Sequence, residues 1–215
     1  MKAILLLDLP AEESLMSEKI TQPIMSIPIY DRPLVDYALE FTYQFSPSRF
    51  ILLGSDGLTY DFIQNRFHHR YKDKDLTYKL IHDHPQHKTK EDILWPLSSL
   101  SLDESNEDVF YFDCRVITIC SSSDIKTHLE KTPKEQCLFY TNQNGLKTKL
   151  AFGIFRSKFL KENKSIDYTE TSTKQFPFNK ILLNDLSYKI KTIDDVLDVS
   201  MVMKIWNKGR KREVI

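Results

Sequence analysis

The chain has 215 residues, which is enough for one sizeable domain with a buried core. Lysine plus arginine equals aspartate plus glutamate, at 30 residues each, so the formal net charge is zero. A neutral chain has no overall field to attract nucleic acid or an anionic membrane, and we expect neither as a partner. Three cysteines without metal-type spacing, and no apolar run near the roughly 20 residues that span a bilayer, predict a cytoplasmic protein.

The first part of the chain predicts a strand, a long loop and a helix. Residues 3–7 form an apolar run that is too short for a helix and is typical of a buried strand. From Pro33 to about Tyr43, apolar residues recur at helical spacing, and proline fits the first turn of a helix because its missing N–H would be unpaired there.

Further strands and helices alternate along the rest of the chain. We predict strands at 49–57, 76–81, 108–118, 137–140 and 150–155, and helices at 59–71, 91–100, 125–130 and after Thr192. Residues 142–145 are expected to be the turn between the last two strands, and 161–180 a surface excursion or lid. This alternation predicts an α/β fold with a mostly parallel sheet and helices on both faces.

We expect residues 1–203 to form a single domain, followed by a basic tail at 204–215. The tail is either a solvated terminus or a contact for a partner. The histidine-rich loop at 82–92 matches no closed zinc template, so a solvated loop is the preferred interpretation over a metal site.

The order of several motifs resembles the sugar nucleotidyltransferases. The chain opens with a Met-Lys-Ala-Ile strand, and residues 32–37 stand where the family has Lys-Pro-Leu-Ile-x-Tyr. Residues 153–160 resemble the family's Gly-Ile-Tyr or Gly-Ile-Phe strand with its Ser-x-Phe-Leu helix start. The resemblance implies a Rossmann-like three-layer nucleotidyltransferase fold. It also implies transfer of a nucleotidyl group to a sugar phosphate, with Mg²⁺.

The residues that carry this chemistry in the family differ here. The family's first loop is Gly-x-Gly-Thr-Arg, whereas residues 8–19 contain no glycine and are acidic, a poor phosphate site. The motif aligns its metal-binding aspartate with Arg115, which offers no oxygen ligand. Lys189 and Lys191 replace the two aspartates ahead of the last helix.

Asp113 is the candidate catalytic residue, because it lies two residues before Arg115 on the same face of the predicted strand. The cations Arg115, Lys189 and Lys191 either converge to replace the charge of the metal, or are exposed, or pair with Asp113 and nearby acids. From the resemblance, three further residues are ligand-binding candidates: Arg32, Thr89 and Gly153.

Two functional hypotheses follow from these substitutions. The first is a catalytically degenerate nucleotidyltransferase-like protein that binds a nucleotide or sugar phosphate without a cofactor, or is a scaffold subunit with a protein partner or a second copy. The alternative is an active, Mg²⁺-dependent enzyme that couples a nucleoside triphosphate to a sugar phosphate or related phosphate in cell-envelope glycan synthesis.

Overall fold

A seven-stranded sheet forms the centre of the fold, and all of its strands run parallel to one another except one. The structure is a computed structural model that describes residues 1–7, 24–54, 57–80, 107–119, 122–133, 137–144, 147–157, 178–182, 187–190 and 193–213.

The strands of the main sheet are β1 (Lys2–Leu6), β4 (Arg49–Gly54), β5 (Asp75–Leu80), β6 (Val109–Asp113), β8 (Cys137–Asn144), β9 (Lys147–Phe155) and β10 (Phe178–Leu182). Their order in the sheet is β10-β8-β9-β6-β1-β4-β5, and β9 is antiparallel to both of its neighbours. Two small antiparallel pairs stand outside it: β2 (Pro28–Ile29) with β3 (Arg32–Pro33), and β7 (Val116–Thr118) with β11 (Ser187–Lys189). The helices are α1 (Leu34–Tyr43), α2 (Gly57–Arg70), α3 (Ser122–Lys131) and α4 (Ile193–Glu213), and a 3-10 turn spans Ile24–Ser26.

The core lies between the sheet and the helices α1 and α2. The centroid of the Phe41 ring in α1 lies 5.3 Å from the ring centroids of Phe112 in β6 and Phe152 in β9. The Phe67 ring of α2 packs edge-on against Phe50 of β4 at 5.1 Å. Alternate residues of the central strands point to the other face of the sheet, where they are also buried, among them Ile4, Leu6, Ile51, Leu53 and Tyr111. A parallel sheet with both faces covered needs such continuous apolar strands.

The predicted α/β fold with a mostly parallel sheet is confirmed, and the structure corrects several of its details. The predicted strand 108–118 is two strands, because the chain turns at Cys114 and Arg115 and β7 leaves the main sheet to pair with β11. Residues 142–144, which were expected in a turn, belong to β8, which continues to Asn144, and β9 begins at Lys147. The helix predicted at 91–100 and the histidine-rich loop lie outside the described residues.

Helix α4 continues to Glu213, through most of the segment expected to be a basic tail. Of the helices that the structure describes, none combines the length and the apolar character that crossing a membrane requires.

Candidate functional site

The carboxyl ends of β1 and β6 lie side by side at one edge of the sheet. Leu6 pairs with Asp113 in the parallel register of these strands, and both strands end there. The sheet continues from β1 through β4 and β5 on one side and through β6 on the other, so the strand order reverses between β1 and β6. In open α/β sheets, the crevice at such a reversal is the usual place for a ligand.

Asp113 and Arg115 form a buried ion pair at this edge. The Arg115 guanidinium donates from Nε to Oδ1 of Asp113 and from Nη2 to Oδ2, each at 2.8 Å. The backbone N–H of Arg115 also donates to Oδ1, at 3.0 Å. Both side chains are buried. This is the bidentate geometry in which arginine binds a carboxylate most strongly.

Two long-range backbone hydrogen bonds hold the turn that makes this pair. The N–H of Cys114 donates to the carbonyl of Leu6 at 2.8 Å, which ties the turn to β1. The N–H of Ile190 donates to the carbonyl of Arg115 at 2.8 Å, which ties it to the end of β11. The position of the Arg115 side chain therefore depends on three segments that are distant in sequence.

The Cys114 thiol between these residues is buried. Burial raises its pKa well above the ordinary value, and the negative charge of Asp113 raises it further. A thiol held in its neutral form is a poor nucleophile, so Cys114 is a packing residue here.

Of the other predicted site residues that the structure describes, Lys189 has the backbone position nearest to the Asp113–Arg115 ion pair. It pairs with Val116 in the β7–β11 ladder, one residue from Arg115. Gly153 lies in β9 opposite Tyr111, two residues before the end of β6. Thr89 and Lys191 lie outside the described residues.

Arg32 makes contacts within its own region of the fold. Its guanidinium lies 4.2 Å from the centre of the Tyr37 ring and forms an ion pair with Glu40, so its described contacts are with α1. The Tyr37 hydroxyl in turn donates to the carbonyl of Ile29, at 2.8 Å. Arg32 thus fixes the β2–β3 hairpin against α1.

Sequence reasoning missed a second buried carboxylate, Asp36 in the first turn of α1. Arg66 of α2 donates from Nε to Oδ1 of Asp36 at 2.8 Å and from Nη2 to Oδ2, and Nη1 of Arg70 lies 3.3 Å from Oδ2. Arg66 and Arg70 are four residues apart and so share one face of α2. That spacing is the only sequence signal of the contact, and it does not identify the acid.

The residues at the end of β6 do not fit a magnesium ion. Asp113 ends the strand, two residues before the position that the family motif gives to its metal-binding aspartate, and the Arg115 guanidinium engages both of its oxygens. Magnesium requires oxygen ligands in a near-octahedral arrangement, and a fixed cation within hydrogen-bond distance of the ligand opposes its binding. In the part of the chain that the structure describes, no three histidine, cysteine or acidic side chains form a group that could hold a metal ion.

No protein-family model matches this sequence, and no curated protein matches it. Solved structures do. A protein from Bacillus anthracis named as a glucose-1-phosphate thymidylyltransferase, solved with sucrose, matches with a TM-score of 0.69 and 11% identity over 94% of each chain. HddC from Yersinia pseudotuberculosis matches with a TM-score of 0.61 and 10% identity, over 94% of this chain and 99% of the other. Its complex with GMP-PN has a TM-score of 0.58 with the same identity and coverage.

The sheet order, the crevice at the strand reversal and these likenesses define the class of fold. The chain has the fold of the sugar nucleotidyltransferases, as the motif order predicted. At 10–11% identity, the likeness to these structures is a likeness of fold.

Proposed function

We propose that this protein is a catalytically degenerate member of the nucleotidyltransferase fold that binds a nucleotide or a sugar phosphate without magnesium. The observation that carries the proposal is the ion pair between Arg115 and Asp113. Because the Arg115 guanidinium engages both oxygens of the strand-end carboxylate, Asp113 is already neutralised by a fixed cation and does not offer these oxygens to a divalent ion.

The energetics of the pair support this interpretation. Removing one partner from a buried ion pair costs about 3–5 kcal/mol, because the remaining charge is left uncompensated in a low-dielectric environment. A magnesium ion would have to displace Arg115 from Asp113 against a cost of this size before it could bind. Nucleotidyl transfer depends on neutralising charge that develops on phosphate oxygens, for which the family resemblance implies magnesium. We therefore expect binding without turnover.

The ligand class comes from the fold and from what its structural neighbours hold. HddC was solved with GMP-PN and the Bacillus anthracis protein with sucrose. A nucleotide or sugar-phosphate ligand at the crevice between β1 and β6 is the corresponding expectation here. We expect the protein to act as a binding or scaffold subunit.

The first test is thermal unfolding of the full chain against a panel of nucleoside triphosphates, sugar 1-phosphates and nucleotide sugars, each with magnesium and with EDTA. A ligand at about one hundred times its Kd should stabilise the native state by about 2.7 kcal/mol. We expect at least one ligand to raise the midpoint equally in magnesium and in EDTA. No shift with any ligand would overturn the binding function.

The second test is pyrophosphate release from a nucleoside triphosphate and a sugar 1-phosphate in magnesium. We expect no release above the buffer blank. Release that requires magnesium and is lost on Asp113→Asn would overturn the degenerate assignment and establish an active nucleotidyltransferase instead. The Arg66→Met variant is the matched control, because it removes an arginine from the ion pair between α1 and α2.

A further inference from the structure

Strand β5 is the last strand of the main sheet as the structure describes it. It pairs with β4 in a parallel register that runs without a shift from Asp75 to Leu80, and among the described strands none lies on its other side. An edge strand has a row of backbone N–H and C=O groups that its own sheet leaves unpaired, and natural proteins commonly block such an edge with a proline or a bulge. β5 contains neither, so its edge is suited to pairing with another strand.

The two faces of β5 differ in character. Leu76 and Tyr78 are on the face that α2 covers, where the ring centroid of Tyr78 lies 4.6 Å from that of Tyr60. Both are only partly buried and pack at the border of the hydrophobic core. Asp75 and Thr77 lie on the opposite face and are exposed. In the part of the chain that the structure describes, the apolar layer under α2 thus ends at two partly buried side chains.

The sequence of β5 is complementary to itself about Thr77. Asp75 and Lys79 are both two positions from Thr77 and carry opposite charges. Leu76 and Tyr78 are both one position from it and are large and hydrophobic. In an antiparallel pair of strands, residues directly opposite each other point to the same face of the sheet. Opposite charges would therefore meet on one face, and hydrophobic side chains would meet on the other.

We propose that β5 pairs with β5 of a second copy of this chain, antiparallel and with the two-fold axis at Thr77, so that the two sheets join into one. Asp75 then faces Lys79 of the partner subunit, and Leu76 faces Tyr78 of the partner subunit. A two-fold interface requires this self-complementarity, because one patch must meet itself. Each pair occurs twice, and cross-strand pairs of opposite charge stabilise a sheet.

The residues of β5 favour this register over the alternatives. A shift of one residue would turn one copy over, so that Leu76 would face Lys79 of the partner subunit and the apolar layer would not continue. A parallel pairing in register would place Asp75 opposite Asp75 of the partner subunit, and like charges in that arrangement are destabilising.

We expect the dimer to depend on protein concentration. One short strand on each side makes a contact smaller than the standard interface of roughly 800 Å² per partner. The dimer should therefore form at high protein concentration and dissociate on dilution. This inference goes beyond the proposed ligand binding and does not depend on it.

Disulfide formation across the axis tests the register directly. Residues opposite each other in an antiparallel pair have Cα atoms about 4.5–5.5 Å apart, within the range for a disulfide. Thr77→Cys should therefore give a disulfide-linked dimer under mild oxidation at high protein concentration. Asp75→Cys is the matched control and should stay unlinked, because the two copies of position 75 would lie about 13 Å apart along the strands. The wild-type chain, with three cysteines of its own, sets the background.

Sedimentation velocity of the full chain measures the dimer itself. We expect a shift from monomer to dimer between micromolar and near-millimolar concentration. Asp75→Lys and Lys79→Asp each place like charges opposite each other and should weaken the dimer roughly tenfold, and the double variant should restore it. These two positions are about 13 Å apart along one strand, too far to pair within one chain, so the restoration would come from the second copy.

Three results would overturn the proposal. The first is a wild-type chain that stays monomeric at all concentrations. The second is linkage of Asp75→Cys as readily as Thr77→Cys, which would indicate parallel strands. The third is a dimer that neither charge change weakens, which would place the interface elsewhere. Thermal unfolding at the wild-type midpoint would show that each variant folds.

Discussion

The Arg115 guanidinium spans both oxygens of the Asp113 carboxylate, although only one residue separates the two in sequence. A regular strand could direct both side chains to the same face but would not fold one back onto the other. The turn at Cys114 and Arg115 brings them together. Because backbone hydrogen bonds join this turn to Leu6 and Ile190, the ion pair forms only when these segments at the edge of the sheet are all in place.

Removing the arginine should destabilise the fold strongly. Arg115→Met leaves Asp113 buried without its cation, and we expect the free energy of unfolding to fall by about 3–5 kcal/mol. Asp113→Asn should have a similar effect, because it leaves the guanidinium uncompensated. The midpoint and slope of urea unfolding measure both changes.

The double variant Asp113→Asn/Arg115→Met is the control for this prediction. If the two residues stabilise each other, the double variant should lose less than the sum of the two single losses, by at least about 1 kcal/mol. Strictly additive losses would contradict the interaction that the geometry indicates.

The ion pair between α1 and α2 should be carried by Arg66 rather than Arg70. Arg66 is 31% exposed and engages both oxygens of the buried Asp36, whereas Arg70 is 49% exposed and approaches only one oxygen. Arg66→Met should cost about 1.5–3 kcal/mol, the usual loss for a hydrogen bond to a charged group, and Arg70→Met less than about 1 kcal/mol.

The two variants control for each other, because they remove the same group from one face of the same helix. Urea unfolding of both at neutral pH gives the comparison. An equal loss for the two, or a larger one for Arg70→Met, would contradict the prediction that the contact of Arg66 with both oxygens of Asp36 stabilises this helix pair.

An element of the fold could be predicted when the sequence pattern that specifies it lies within one segment of the chain. Helix α1 could be predicted because Pro33 and the apolar spacing after it lie within one segment, and β1 and β4 because each is a short apolar run. Strand β10 was not predicted, because Phe178–Leu182 follows a polar stretch and pairs with the distant β8. Strand β11 likewise depends on its pairing with β7.

The candidate site shows the same limit. Asp113 and Arg115 could be named from the motif order, and their pairing was one of three arrangements that the sequence left open. The turn between β6 and β7 could not be predicted, because it contains neither glycine nor proline. Its backbone hydrogen bonds are to Leu6 and Ile190, which are distant in sequence. Asp36 was missed because Arg66 is 30 positions away, and nothing local shows that a carboxylate in a first helical turn is buried.

The Cys114 thiol should make the protein less stable as the pH rises above about 9. Burial raises its native pKa above the ordinary value of 9.0, so the native state keeps the proton in a range where the unfolded chain has lost it. When the native state binds more protons than the unfolded state, the free energy of unfolding falls with increasing pH, by up to about 1.4 kcal/mol per pH unit for one group.

Comparison with Cys114→Ala isolates this contribution. Burial also raises the pKa of Tyr37 and Tyr71, and both tyrosines remain in the variant. Urea unfolding at several pH values between neutral and strongly alkaline should give a steeper decline for the wild-type chain than for the variant. Parallel declines would mean that the thiol is accessible to water in the native state.

Ser46→Gly should stabilise the protein. Ser46 has a φ of 48° just after the end of α1, in the left-handed region that costs a residue with a Cβ about 1–2 kcal/mol and costs glycine little. The side chain is exposed, and the backbone N–H donates to the carbonyl of Tyr43 at 2.9 Å, a bond that glycine can also make. Because glycine also gains freedom in the unfolded chain, we expect a net rise of about 0.5 kcal/mol in the free energy of unfolding.

Gln44→Gly is the matched control, because Gln44 is exposed, lies two positions earlier and has a helical φ of −63°. It should lower the stability by about 0.5–1 kcal/mol. Opposite signs for the two substitutions in thermal or urea unfolding would confirm that the backbone at Ser46 is strained, and a loss for both would contradict it.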